Sequence, residues 1–225
     1  MKISFLGDSI TYGYDLENKD ERFATLICKK MGAEEANFGI TGTLMARAGM
    51  NRNDGKSFLD RVHLVLDGDI IVIFGGTNDY FWGDTPIGDK MTGDAGFYCA
   101  VDKICKRISD SGCAHKTLIV TPYPHNGVGN FYGGNDYEHS SRHDTDVLNY
   151  NGHKLVDYVN VLEKIATEYN ISVLNLHKVS GFDWKAHTTD GCHPNTCGHK
   201  WLAEKICDDI NKLFIKNIKN LKGKP

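Results

Sequence analysis

Five short apolar runs punctuate the chain, and between them apolar residues return at helical spacing. The runs are Ile3 to Leu6, a weaker one ending at Asn37 and Phe38, Ile70 to Phe74, Leu118 to Val120, and Ile171 to Leu176. Ile70 to Phe74 is apolar at every position, the mark of a strand covered on both faces, as in a parallel sheet. Between the runs, Val101, Ile104, Cys105 and Ile108 share one helical face. Leu155, Tyr158, Val159, Leu162, Ile165, Ala166 and Tyr169 share another, and Leu202, Ile206, Ile210 and Leu213 a third. Strand and helix alternate, which predicts an α/β fold with right-handed crossovers and helices on both faces of a central sheet.

Two segments break the rhythm. Tyr80 to Gly96 is rich in glycine, and Pro122 to Asn149 is rich in Gly, Asn, His and Tyr without a sustained period. Long irregular stretches in a compact domain are usually binding loops or lids. Both are expected to leave the C-terminal edge of the sheet, where ligands of open parallel sheets bind. With no repeat or low-complexity linker, one domain is expected over residues 1–215, followed by a basic C-terminal tail, 216–225.

Composition narrows the partners. The 225 residues are 40% hydrophobic and 24% charged, enough for a sizeable core. A formal net charge of -3 gives no footprint for nucleic acid or for an anionic membrane. No run reaches the roughly 20 apolar residues needed to span a bilayer, and MKISFLGDSI leaves no room for a secretory h-region. Seven irregularly spaced cysteines suit reduced thiols. A cytoplasmic protein with a small-molecule partner is the expectation.

The candidate chemistry sits where strands end. Gly7-Asp8-Ser9-Ile10-Thr11-Tyr12-Gly13 directly follows the first strand, putting Ser9 at the entry to a helix near backbone N–H groups that could hold an oxyanion. The same residues equally suit a helix N-cap. Asp190-Gly191-Cys192-His193-Pro194-Asn195 places an acid and a histidine three residues apart in a turn. The carboxylate can fix the imidazole tautomer through Nδ1–H and leave Nε2 to take a serine proton; alternatively, both are turn residues before a proline. Gly75-Gly76-Thr77-Asn78-Asp79 follows the most buried strand and offers the Asn78 amide, while Asn37-Phe38-Gly39-Ile40-Thr41-Gly42-Thr43 offers the Gly42 N–H. Each is also an ordinary turn. Together they supply nucleophile, base, orienting acid and oxyanion donors, the inventory for acyl transfer.

In the order and spacing of these four blocks, the chain resembles the GDSL, or SGNH, hydrolases. GDSITYG, NFGITG, GGTND, and DGCHPN with Gly198 carry the resemblance, which extends from about Ile3 to Ile206. It implies a flavodoxin-like three-layer α/β/α sandwich with a five-stranded parallel sheet, and hydrolysis of esters or thioesters without metal or organic cofactor. By position, it implies Ser9 as nucleophile and Asp190 and His193 as acid and base. The Ser9 N–H, the Gly42 N–H and the Asn78 side chain would form the oxyanion hole. Two departures bear on subfamily: Cys192 stands where an apolar residue is common, and no acidic residue follows Gly42.

For substrate contact, Asp8, Tyr80, Trp82, Tyr123 and His125 are the candidates. The Tyr-, His- and Asn-rich loop has almost no aliphatic residues, which favours short acyl groups on a sugar or other polar molecule over a long acyl chain. An acyl-thioesterase or lysophospholipase-type activity is the alternative within the same chemistry. Two further alternatives are a metal-dependent hydrolase using Cys192, His193, Cys197 and His199, with His139, Arg142 and His143 as a second cluster, and a non-catalytic phosphate- or nucleotide-binding module. Against the latter, Asp8 puts negative charge where an anion would sit.

Overall fold

A computed structural model describes residues 1–47, 55–82, 85–125, 148–149 and 151–222, except the side chains of Trp82 and residues 214–222. Its sheet contains β1 (Lys2–Gly7), β2 (Glu34–Gly39), β3 (Ile70–Phe74), β4 (Thr117–Val120) and β5 (Ser172–Leu174). All neighbours are parallel, in the order β2-β1-β3-β4-β5. The helices are α1 (Ser9–Tyr12), α2 (Phe23–Met31), α3 (Phe58–Arg61), α4 (Thr77–Trp82), α5 (Phe97–Asp110), α6 (Leu155–Glu168), α7 (Trp184–His187) and α8 (Thr196–Lys222). None of them is long and apolar enough to cross a membrane among the described residues.

The continuous apolar run of β3 is read out by the period of two along a strand. Ile71 and Ile73 enter one core with α5 and α6, whereas Ile70, Val72 and Phe74 enter the other with α2 and α8. Each fully buried aliphatic side chain contributes about 1.5–3 kcal/mol, so one strand fastens both helical layers to the sheet. The helical faces read from the sequence supply the matching surfaces: Val101, Ile104 and Ile108 on α5, and Leu202, Ile206 and Ile210 on α8. The last helix continues to Lys222, through the start of the expected basic tail.

The sheet order places a topological switch beside β1, with β2 on one side and β3 on the other, and α/β sheets bind ligands outside such a point. Close backbone approach is built in here. A Cβ on Gly39 would strike the backbone of Thr11 and Tyr12, so β2 must end in glycine for α1 to lie against it. Asn37 fastens the same contact, its Nδ2 donating to the Thr11 carbonyl at 3.0 Å.

Candidate active site

Ser9 begins α1 in a turn held from both sides. Asp8 Oδ1 accepts the N–H of Ile10 at 2.9 Å, which caps the helix. At the far end Gly13, at φ 79°, adopts the left-handed conformation that glycine takes without strain and turns its N–H back to the carbonyls of Ser9 and Ile10. The serine is thus 5% exposed, at the C-terminal edge of β1.

From the other end of the chain, residues 188–195 form a loop closed by a bridge between Thr188 and Pro194. Gly191, at φ 88°, reverses the chain, and its N–H donates to Thr188 Oγ1 at 2.9 Å. Asp190 Oδ1 accepts the N–H groups of Cys192 at 2.9 Å and His193 at 2.7 Å. Its other oxygen meets His193 Nδ1 at 2.7 Å, and His193 Nε2 lies 3.0 Å from Ser9 Oγ. Burial alone would raise the Asp190 carboxyl, but the His193 ring and the two backbone donors hold it down at about 2. An ionised carboxylate can only accept, so Nδ1 carries the proton and Nε2 faces the serine hydroxyl with its lone pair. Burial pushes the imidazole pKa down. The Asp190 hydrogen bond and the charges of Asp190, Asp8 and Asp15 more than offset this and hold it above its ordinary value.

The donor side is assembled from two further strand ends. Gly42, at φ 74°, sits in the turn after β2, with open space where a Cβ would project. Asn78, in α4 just after β3, donates through Nδ2 to the Thr43 carbonyl at 3.0 Å. The next residue, Asp79, is fully buried and accepts the N–H groups of Met45 at 2.9 Å and Ala46 at 3.1 Å. Burial drives its pKa up to about 7 against those two bonds. Asp8 is driven up to about 6, chiefly by burial. The structure therefore brings Ser9, Asp190 and His193 into one hydrogen-bonded line and sets the segments of Gly42 and Asn78 in direct contact through Thr43.

A model of the GDSL-like lipase/acylhydrolase family matches residues 5–201. The chain belongs to that family. Solved structures agree with it in fold: a protein from Lactobacillus plantarum is 22% identical, with a TM-score of 0.77 over 94% of this chain and 96% of its own. An acetyl xylan esterase is 20% identical, with a TM-score of 0.62 over 93% and 99%. A lipase/acylhydrolase from Enterococcus faecalis is 21% identical, with a TM-score of 0.61 over 93% and 94%. No curated protein matches the chain. The flavodoxin-like sandwich expected from the motifs is the observed fold, and family membership places the chain among ester hydrolases.

The candidates for substrate contact sit deeper than a polar loop suggests. Tyr123 is 1% exposed: its ring packs on Phe74 and Phe182, and its hydroxyl donates to the Cys192 carbonyl at 2.6 Å. It props the histidine loop from below, because an aromatic ring can join the core once its one polar atom has a partner. His125 and Tyr80 are buried edge to face against each other, and burial lowers the His125 pKa to about 4. Asp8 spends one carboxylate oxygen on capping α1. The Trp82 side chain and most of residues 122–149 lie outside the described residues.

Among the described residues, the one group of metal-capable side chains that converges is Asp15, Asp190 and His193. Cys192 is buried and Cys197 exposed, while His199 turns inward and accepts the Phe23 N–H at 3.2 Å. That set therefore does not converge. His139, Arg142 and His143 lie outside the described residues.

Several neighbours of the site escaped the sequence. Arg61, 5% exposed, has burial and the Asp8 charge acting on it in opposite directions, and burial lowers it to about 10. Its helix could have been read from Ser57 and Asp60, which form a capping box. Tyr14 tilts its ring over His193 at 4.6 Å, and Asp15 accepts the Thr189 hydroxyl at 3.1 Å. Both follow the first block immediately, so proximity in sequence was the available signal.

Proposed function

We propose that this family member is a serine esterase acting on carboxylic esters with short acyl groups, acetyl esters of carbohydrates or similar polar molecules among them. The observation that carries the reading is the continuous line from Asp190 through His193 to Ser9, at 2.7 and 3.0 Å. In the first half-reaction His193 Nε2 takes the hydroxyl proton as Ser9 Oγ bonds to the ester carbonyl carbon. The carbonyl π electrons move to oxygen. The N–H groups of Ser9 and Gly42 face that charge together with the second Asn78 amide proton, the first being given to Thr43. The C–O bond to the alcohol then breaks, and the alcohol leaves with the proton from His193. Water attacks the acyl-serine by the same route, giving the carboxylic acid and free Ser9.

None of these steps calls for a metal or an organic cofactor. The acetyl preference is supported by the scarcity of aliphatic residues in the 122–149 segment and by the shared fold with an acetyl xylan esterase. The test is hydrolysis of p-nitrophenyl acetate together with labelling by a fluorophosphonate. Ser9→Ala is expected to abolish labelling and remove nearly all turnover. Retention of more than a few per cent of wild-type activity would overturn Ser9 as the nucleophile.

A further inference from the structure

We infer that Thr43 and Arg61 form a brace that holds the three oxyanion donors in register, making both of them positioning residues for the esterase reaction proposed above. Thr43 lies 2% exposed between the turn that carries Gly42 and the amide of Asn78. Its hydroxyl donates to the Ile40 carbonyl at 2.8 Å and accepts from Arg61 Nη2 at 2.9 Å. Its carbonyl takes the Asn78 amide proton at 3.0 Å. Displacing Thr43 therefore shifts two donors at once: Gly42 along the backbone and Asn78 through its side chain.

The third donor joins through the guanidinium. Arg61 Nη2 also reaches the Gly7 carbonyl at 3.3 Å, one peptide before Asp8 and Ser9, and Nη1 donates to the Phe38 carbonyl at the end of β2. Nε is fixed on the Lys56 carbonyl at 2.6 Å. One planar, rigid fork thus ties the exit of β1, the exit of β2 and the Gly42 turn to a single group. A lysine ammonium has neither the plane nor the reach to satisfy these acceptors together. Charge-assisted hydrogen bonds are typically short, as those to Lys56 and Thr43 are, while the one to Gly7 is the longest of the set. An oxyanion hole depends on that rigidity, because its donors act only if they are already aimed at the developing charge.

The test compares Thr43→Val, Thr43→Ser and Arg61→Lys with wild type on p-nitrophenyl acetate. Two inhibitors accompany it: a boronic acid that forms a tetrahedral adduct with Ser9, and an unreactive amide analogue of the ester. Thr43→Val is expected to lose roughly 10- to 100-fold in kcat/KM, with the same fold-loss in boronate affinity. Affinity for the amide, which carries no oxyanion, should stay unchanged. Thr43→Ser, which keeps the hydroxyl, should recover most of the loss. Arg61→Lys should repeat the Thr43→Val pattern, and it carries the test if Thr43→Val does not fold.

Wild-type rates in folded Thr43→Val or Arg61→Lys would overturn the brace while leaving the esterase reading intact. So would equal losses of boronate and amide affinity, or a Thr43→Ser variant as impaired as Thr43→Val. A wild-type protein without Ser9-dependent hydrolysis would take down both.

Discussion

The two sides of the Ser9 hydroxyl are built on opposite physical plans. On the donor side, Asp8, Thr43, Arg61, Asn78 and Asp79 are all buried, and several of their hydrogen bonds join segments far apart in sequence, such as Asp79 to Met45 and Arg61 to Gly7. On the proton-transfer side, Asp190 is exposed, and its partners Cys192 and His193 are neighbours in the same loop. Low dielectric strengthens hydrogen bonds and makes an unmatched polar group expensive, which suits parts that must not move. In the proposed mechanism Asp190 only orients the imidazole and stabilises its charge, so an exposed carboxylate held by its own loop suffices there. On the proposed mechanism, the fold buries the groups that aim the oxyanion donors and leaves the acid of the proton-transfer line open to water.

The contrast can be broken most severely at the exposed side. Asp190→Asn should keep the loop fold yet let the imidazole adopt the wrong tautomer, costing on the order of 10³- to 10⁴-fold in kcat; p-nitrophenyl acetate kinetics beside a melting curve would show loss of rate without loss of stability. Asn78→Ala removes one aimed donor and should lower kcat by about 10² to 10³, read in the same assay. Activity at a tenth of wild type or better would mean that the buried side contributes less than its construction implies. Acidity gives a gentler probe. As the proposed base, His193 works only when neutral, and its pKa is held above the ordinary value, so kcat/KM should fall about tenfold per unit as pH drops below that raised pKa. Asp15→Asn, which removes one of the charges that raise it, should move this limb to lower pH and leave the plateau rate alone. A limb shifted the other way would exclude Asp15 from the electrostatics of the base.

How far the sequence revealed these plans follows the same division. The parts signalled by a short, contiguous pattern could be read: the Asp190–His193 spacing, the Gly-Asp-Ser turn after a strand, and the unbroken apolar run of β3. The β2 run was faint because β2 is an edge strand whose residues are exposed or half-buried, so it carries little of the apolar signal that reports a strand. The Ser57–Asp60 capping box marks the helix of Arg61 but not its contacts. The acceptors of Arg61 are mostly backbone carbonyls, present at every residue, and only the folded chain shows which of them converge. Tyr123 misled in the opposite sense, since a tyrosine in a polar loop resembles a surface residue until the Cys192 carbonyl is found above it.

The loop that carries Asp190 and His193 is fastened to itself and to the start of α8, with Tyr123 and Asp15 tying it to the rest of the fold. The Asn195 side chain holds the carbonyls of Ala186 and Thr188, and a Cβ on Gly198 would collide with the His187 carbonyl. Asp190 and His193, the proposed acid and base, are consequently held to each other within one short loop. The 3.0 Å contact between His193 and Ser9, by contrast, joins positions 184 residues apart. On the proposed mechanism, the alignment between these two parts is therefore a more sensitive point than the internal geometry of either.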